Sequence, residues 1–196
     1  MKKKIILLPL LLLIQFVSAQ DVKFTDGYYT NGLSYPIATF RANTQTQENL
    51  NNHILKICSE YESQDYCIGQ YGFVQQTIYI QLHFYFNCID MPESKNEYHL
   101  FDLSTGDPCL PSAMFLEKQM KKFKSFFRTK IAEQYTANGR SAPEIEVLDA
   151  LTIDDFMVQL SDVGIEVRSD SLIGWDDMLL KISWIEIRQY LKTTFI

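Results

Sequence analysis

The stretch from Phe73 to Cys88, "FVQQTIYIQLHFYFNC", constrains the fold more than any other part of the chain. Apolar side chains recur at every second position among β-branched and aromatic residues, which is typical of a strand with one buried face. The sequence therefore predicts one long strand here. Its second face carries tyrosines, glutamines and His83. That face is either a binding surface, because tyrosine combines rigid area with a polar tip, or an ordinary solvated sheet face, which is the preferred interpretation.

Further elements are predicted on both sides of this strand. Residues 35–40 are typical of a short strand. The polar segment that follows predicts a helix over 43–61, begun by a capping box of Thr44 and Gln47. After the loop "IDMPESKNE", Tyr98–Leu103 is predicted to return as a neighbouring strand.

The second half of the chain predicts one long helix and a late β-structure. The helix is expected to be capped by Ser112, with an apolar stripe repeating every three or four residues. A hairpin is predicted over 156–167, then a final strand and a short helix with Ser183 and Glu186 as its capping box. Together these elements predict an α+β fold with a mostly antiparallel sheet and two main helices packed on one face.

The first residues predict export. Three lysines, an apolar run and small residues before Gln20 have the layout of a secretory signal peptide over 1–19, cleaved after Ala19. The apolar run is shorter than the roughly 20 residues that span a bilayer, and no later stretch predicts a transmembrane segment. We therefore expect a single domain over 20–196 in a secreted or periplasmic bacterial protein.

The mature chain is expected to be acidic. Loss of Lys2–Lys4 with the leader takes the formal net charge from −6 to −9. Such a balance argues against general binding of nucleic acid, which depends on lysine and arginine facing phosphates. Carboxylates are concentrated in residues 141–180, where Arg168 is the one basic residue. This segment favours a cationic protein as a partner, and its spacing does not match a calcium loop of the EF-hand type.

The stretch Tyr98–Phe115 contains two aspartates, one before the turn "STGD" and one at its end. Asp102 lies inside the predicted strand and Asp107 closes the turn, in which Gly106 can adopt a positive φ without steric cost. Turn chemistry explains each of these residues. The alternative is an envelope hydrolase that uses Asp102 or Asp107 with His83 or His99. No metal-ligand spacing and no phosphate-binding loop occurs, so we assign no catalytic, cofactor-binding or metal-binding residues.

Four cysteines in an exported chain predict disulfides before they predict a nucleophile. Cys58 ends the first helix and Cys67 follows after a short polar connection, so Cys58–Cys67 is the preferred bridge. Cys88 and Cys109 then remain, and a regular hairpin would hold them about 15–20 Å apart. These two either pair across an offset register or stay as buried thiols.

The order of elements resembles a bacterial extracellular family, the RsiV-like, peptidoglycan-deacetylase-associated domain, a domain of unknown function. The resemblance covers most of residues 35–191. It is carried by the strand end Phe101–Asp102, the turn Thr105–Gly106 and the helix start near Met114–Phe115. The family occurs in lysozyme-sensing anti-sigma factors and ahead of the catalytic domain of some deacetylases. The present chain departs from it at the loops "IDMPESKNE" and "SDSLIGWDD", so a partner surface built on those loops is not carried over.

The resemblance and the acidity together imply a function in binding. We expect a non-catalytic, exported module of the cell envelope, not an enzyme, whose partner is a lysozyme-like cationic protein or the peptidoglycan glycan. Two alternatives remain open at this point. One is the envelope hydrolase already described, and the other is a carrier of small molecules or lipids, which would need a large apolar cavity between helices and sheet.

Overall fold

The computed structural model of the protein describes residues 22–41, 43–169 and 178–192. The predicted signal peptide and its cleavage after Ala19 lie outside these residues. The strands are β1 Val22–Tyr28, β2 Ser34–Phe40, β3 Cys67–Gln76, β4 Tyr79–Cys88, β5 Lys95–Asp102, β6 Pro108–Cys109, β7 Met157–Leu160, β8 Gly164–Ser169 and β9 Met178–Ser183. The helices are α1 Thr44–Ser59, α2 Met120–Ala137, α3 Ile145–Ala150 and α4 Trp184–Ile187. In the described ranges no helix is long and apolar enough to cross a membrane.

Every strand pairing in the described part of the chain is antiparallel, in three sheets. Strands β1 and β2 form a hairpin, β3-β4-β5-β6 form the central sheet, and β7-β8-β9 form the late sheet. With α1 and α2 as the two main helices, the α+β class is confirmed. Helix α1 separates the first sheet from the central sheet along the chain, and α2 and α3 separate the central sheet from the late sheet.

The single long strand predicted over residues 73–88 is wrong, because the chain turns back on itself inside it. Gln76 pairs with Tyr79, so only two residues connect β3 to β4. The first of them, Thr77, adopts a positive φ of 49°, a conformation that glycine or asparagine usually takes in such turns. The alternation of apolar residues continues through the turn. The hairpin is therefore hidden from the sequence pattern.

The two main helices belong to different hydrophobic clusters. Leu50 and Ile54 of α1 are buried with Ile80, Leu82 and other side chains from one face of β4. The apolar stripe of α2 consists of Phe123, Phe127, Ile131 and Tyr135. It is buried with the late sheet and with two residues on the opposite face of the central sheet, Tyr79 of β4 and Leu100 of β5. The central sheet is therefore covered on both faces, over part of its length, rather than by two helices on one face.

The predicted helix starts are corrected by the structure. Asn43, not Thr44, caps α1, because its side chain accepts a hydrogen bond from the Thr46 amide at 3.1 Å. Gln47 instead accepts from the Phe40 amide at 2.8 Å and so ties the helix to β2. Ser112 lies in a separate 3₁₀ turn, and α2 begins only at Met120. The late hairpin and the Ser183–Glu186 capping box of α4 are confirmed.

The disulfide joins Cys67 to Cys88, so the predicted Cys58–Cys67 and Cys88–Cys109 bridges are both wrong. The two bonded cysteines face each other at the open end of the β3–β4 hairpin, with their Cα atoms 4.1 Å apart. The sequence pattern missed β3, so this pairing was not visible. Cys58 is a free thiol buried in the α1 cluster, and Cys109 is a free, half-buried thiol on β6.

Gln81 attaches the late sheet to the central sheet. Its side-chain amide donates to the carbonyl of Val158 at 2.7 Å and accepts from the amide of Leu160 at 2.7 Å. The side chain thus satisfies one donor and one acceptor on the outer edge of β7, as a neighbouring strand would. Gln81 is 5% exposed, so these two bonds are shielded from water.

Candidate functional site

A cleft with a volume of about 770 Å³ lies beside β5. One wall is β5 from Lys95 to Leu100. The other walls are Pro108–Pro111 and Phe156–Val158, with Glu60 at the end of α1 also lining the cleft. The cleft therefore lies where the central sheet, α1 and the late sheet meet. Such a junction of elements is a common place for a binding site.

A carboxylate network occupies one side of this cleft. Glu97 Oε1 accepts from the hydroxyl of Tyr61 at 2.6 Å and lies 2.7 Å from the ammonium of Lys95. Glu97 Oε2 lies 2.8 Å from Nε2 of His99. Lys95, Glu97 and His99 share one face of β5 because they alternate along it. Tyr61, just after α1, reaches the same face and stacks on Phe86 with ring centroids 3.9 Å apart.

The network shifts the pKa values of its members in opposite directions. The hydrogen bond with His99, helped by those from Lys95 and Tyr61 and opposed by burial, lowers the pKa of Glu97 to about 2. Burial and the hydrogen bond to Glu97 raise the pKa of Tyr61 to about 12. Near neutral pH the cluster therefore holds a carboxylate and a neutral phenol. Both oxygens of Glu97 are engaged, which suits a fixed structural charge better than a proton shuttle.

Lowering the pH is expected to reduce the free energy of unfolding, because it protonates the Glu97 carboxylate. Its folded-state pKa of about 2 lies below its ordinary value of 4.5, so the unfolded chain binds more protons in that window and stability falls as the pH drops through it. We therefore compare the free energies of unfolding of the unchanged protein and of Glu97→Gln as the pH is lowered from 4.5 to about 2. Allowing for partial exposure of Glu97, we expect that of the unchanged protein to fall by about 2 kcal/mol more. Urea unfolding at a series of pH values measures this difference. Parallel pH profiles for the two proteins would contradict the assigned network.

The structure does not bring the four candidate hydrolase residues together. His83 faces Tyr98 across the ladder and His99 faces Leu82, so the two histidines lie on opposite faces of the central sheet. His83 stacks on Tyr98, with ring centroids 4.4 Å apart, and its Nε2 lies 3.0 Å from Asn96 Oδ1.

The two aspartates serve the predicted turn. Asp102 Oδ1 accepts from the amide and the hydroxyl of Ser104 at 2.7 and 2.6 Å. Asp107 lies 3.5 Å from Nε2 of His53 on α1. Gly106 has a φ of 82°, and a Cβ there would come within 2.3 Å of the carbonyl oxygen of Thr46. The predicted turn is confirmed, and it packs directly against the first turns of α1.

The cleft lining was only partly predicted from the sequence, since the predicted strand began at Tyr98. Lys95 and Glu97 were assigned to a polar loop, whereas β5 already begins at Lys95. One signal was present, because Lys95, Glu97 and His99 continue the alternation of the strand toward its beginning. Tyr61 comes from a different element, so no local pattern pointed to it. In the described ranges no group of three or more histidines, cysteines or carboxylates could hold a metal ion.

Comparisons with known proteins find structural likeness only. No protein-family model and no curated protein matches the chain. A DUF3298 family protein from Pseudomonas aeruginosa aligns with a TM-score of 0.47 at 11% identity, covering 91% of this chain and 96% of its own. A DUF3298 family member from Bacteroides fragilis aligns with a TM-score of 0.41 at 9% identity, with the same coverage of 91% and 96%. At these scores neither likeness carries an argument about function.

Proposed function

We propose that the chain is an exported, non-catalytic binding module of the bacterial cell envelope, with its partner bound in the cleft beside β5. The observation that carries this proposal is the cleft itself, which combines apolar walls with charged groups that already have partners within the protein. The signal-peptide layout and the resemblance to the RsiV-like domain support a secreted or periplasmic location. The same resemblance makes a lysozyme-like protein or peptidoglycan the first partner to test.

Some carboxylates of the described residues are available to attract a cationic protein, and others are paired inside the fold. Several carboxylates of the acidic segment are used inside the fold, since Asp149 pairs with Arg128 and Glu166 pairs with Lys181. Glu60, in contrast, is exposed at the mouth of the cleft next to the network of Glu97. A cationic partner would therefore be attracted to this side of the cleft through the carboxylate of Glu60.

Neither alternative function has an observation in its favour. The hydrolase would need His83 or His99 to act together with Asp102 or Asp107 in one cleft. The contacts described above instead join His83 to Asn96 and Tyr98, His99 to Glu97, Asp102 to Ser104 and Asp107 to His53. The carrier would need an enclosed apolar cavity. The cleft beside β5 is instead open and carries the charged groups of Lys95, Glu97 and Glu60.

Binding can be measured with the mature chain and two probes, a cationic lysozyme and insoluble peptidoglycan, at low and moderate salt. We expect saturable binding of at least one probe, weakened by salt if the lysozyme is the partner. Glu60→Lys should weaken lysozyme binding about tenfold, whereas Glu48→Lys, an equal change of charge elsewhere on α1, should change it less than about threefold. Failure to bind either probe at both salt concentrations would refute the proposal.

A further inference from the structure

The outer edge of β5 is open along the cleft. In an antiparallel ladder, successive residues direct their backbone groups alternately to the two neighbouring strands. The Leu103 amide donates to Ile78 on the β4 side, whereas the Asp102 amide donates to Asp107 on the β6 side. By the same alternation, Asn96 and Tyr98 direct their amides and carbonyls away from β4. Among the described residues, no strand pairs with them there.

The early end of strand β6 has a local cause. Strand β6 pairs only with Leu100 and Phe101, through Cys109 and Pro108. Continuing that register would place Pro111 opposite Tyr98, and proline has no amide hydrogen for the ladder. The chain instead enters a 3₁₀ turn at Pro111 and leaves β5. In the ranges that the structure describes, no strand therefore lies beside Asn96 and Tyr98, although β6 shows that a strand fits in the adjoining positions.

The opposite edge of the central sheet is covered. On β3, the hydroxyl of Ser34 donates to the carbonyl of Gly69 at 2.6 Å. A Cβ at Gly69 would come within 2.5 Å of the side chain of Leu33, so the β1–β2 hairpin packs closely on this edge. Open edges tend to pair with other chains, and proteins usually cover or shorten them. The fold covers one edge of the sheet and leaves the other facing the cleft.

We infer that an extended peptide segment of a protein partner binds along Lys95–His99, antiparallel to β5, as a continuation of β6. This inference rests on the proposed binding function and specifies the kind of partner. The outward amides and carbonyls of Asn96 and Tyr98 form a row that another extended backbone complements. The cleft supplies room beside that row, between β5 and Phe156–Val158.

The cleft walls also specify the alternating side chains of the peptide. A residue opposite Tyr98 would lie on the face that Tyr98 shares with His83, toward the apolar side chain of Met157 in the cleft wall. Its neighbours in the peptide would lie on the other face, toward Glu97 and Glu60. An extended segment that alternates apolar residues with lysine or arginine matches both walls, because side chains in a strand alternate between faces.

A peptide selection with matched variants tests the inference. Random twelve-residue peptides are selected by display on the mature chain, and the binders are synthesised with single N-methyl groups along the backbone. N-methylation should abolish binding at alternate positions only, since every second amide faces β5. Asn96→Pro, which lacks the outward amide, should bind at least about tenfold more weakly than Asn96→Ala, which keeps it. Both variants lose the side-chain contact with His83.

The outcomes separate this inference from the proposed function. Loss of binding in Asn96→Pro but not in Asn96→Ala, with the alternating N-methyl pattern, supports strand addition. Equal binding by the two variants, N-methyl effects without a period of two, or recovery of no binding peptide would overturn it. If lysozyme or peptidoglycan binds and Asn96→Pro leaves that binding unchanged, the binding function stands and the β5 edge is only a sheet edge. Should Asn96→Pro fail to fold, the N-methyl pattern still decides.

Discussion

Replacing Gln81 with leucine is expected to lower the free energy of unfolding by about 4 kcal/mol. Leucine removes both hydrogen bonds that Gln81 makes to β7 and leaves the Val158 carbonyl and the Leu160 amide without partners at a buried junction. Each buried, unsatisfied backbone group costs about 1–3 kcal/mol. The apolar replacement recovers part of the packing but neither hydrogen bond. Denaturant unfolding, monitored by circular dichroism and tryptophan fluorescence, measures the loss.

The matched control is Gln70→Leu on β3. Gln70 is exposed on the sheet, so its replacement is expected to change stability by less than about 0.5 kcal/mol. Hydrogen exchange gives a local test as well, because the Leu160 amide should lose protection in Gln81→Leu while the ladder of β4 and β5 keeps it. A Gln81→Leu protein as stable as the control would show that the late sheet is held by side-chain packing alone.

Gln81 also illustrates where the sequence stops being informative. It lies in an alternating strand between apolar residues, and the pattern assigned it to a solvated polar face. Its actual partners lie 77 and 79 residues further along the chain. Polar side chains on a half-buried strand have the same sequence signature whether they face water or a second sheet. Only the packing of the late sheet onto β4 distinguishes the two.

Two predictions that depend only on residues close together in the sequence were correct. The capping box of Ser183 and Glu186 involves residues three apart, and the late hairpin joins neighbouring segments, so both follow from short-range rules. The turn at Thr77 failed for the opposite reason. A residue with no special preference for positive φ adopts it there, because pairing along the whole β3–β4 hairpin outweighs a local cost of about 1–3 kcal/mol.

In the candidate site too, features set by neighbouring residues were predicted and features that combine distant residues were missed. The turn around Gly106 was predicted from its residues, because glycine at positive φ has a local signature. The cluster of Glu97 was missed because it combines β5 with Tyr61 from beyond α1. The open edge of β5 was equally invisible, since it depends on where β6 ends. Binding surfaces that form between elements are therefore poorly marked in a sequence, even when each element is predicted.

Removing the Cys67–Cys88 bridge is expected to lower the free energy of unfolding by about 3 kcal/mol. The bond closes a loop with a sequence separation of 21 residues, and in the chain-entropy account a loop of this size restricts the unfolded state by about that amount. The double variant Cys67→Ala/Cys88→Ala and chemical reduction should give similar losses. Both keep the hairpin register, because the ladder between Cys67–Cys88 and Gln76–Tyr79 holds it.

The pairing itself needs a separate control, since four cysteines permit other bridges. Non-reducing peptide mapping of the purified, oxidised protein should give one linked pair of peptides, which contain Cys67 and Cys88. Cys58 and Cys109 should react slowly with an alkylating reagent until the protein is unfolded. Cys109→Ala should leave the effect of reductant on stability unchanged. A mapped bridge between Cys58 and Cys67 would contradict the assigned disulfide, because Cys67 could then no longer be bonded to Cys88, its partner across the hairpin.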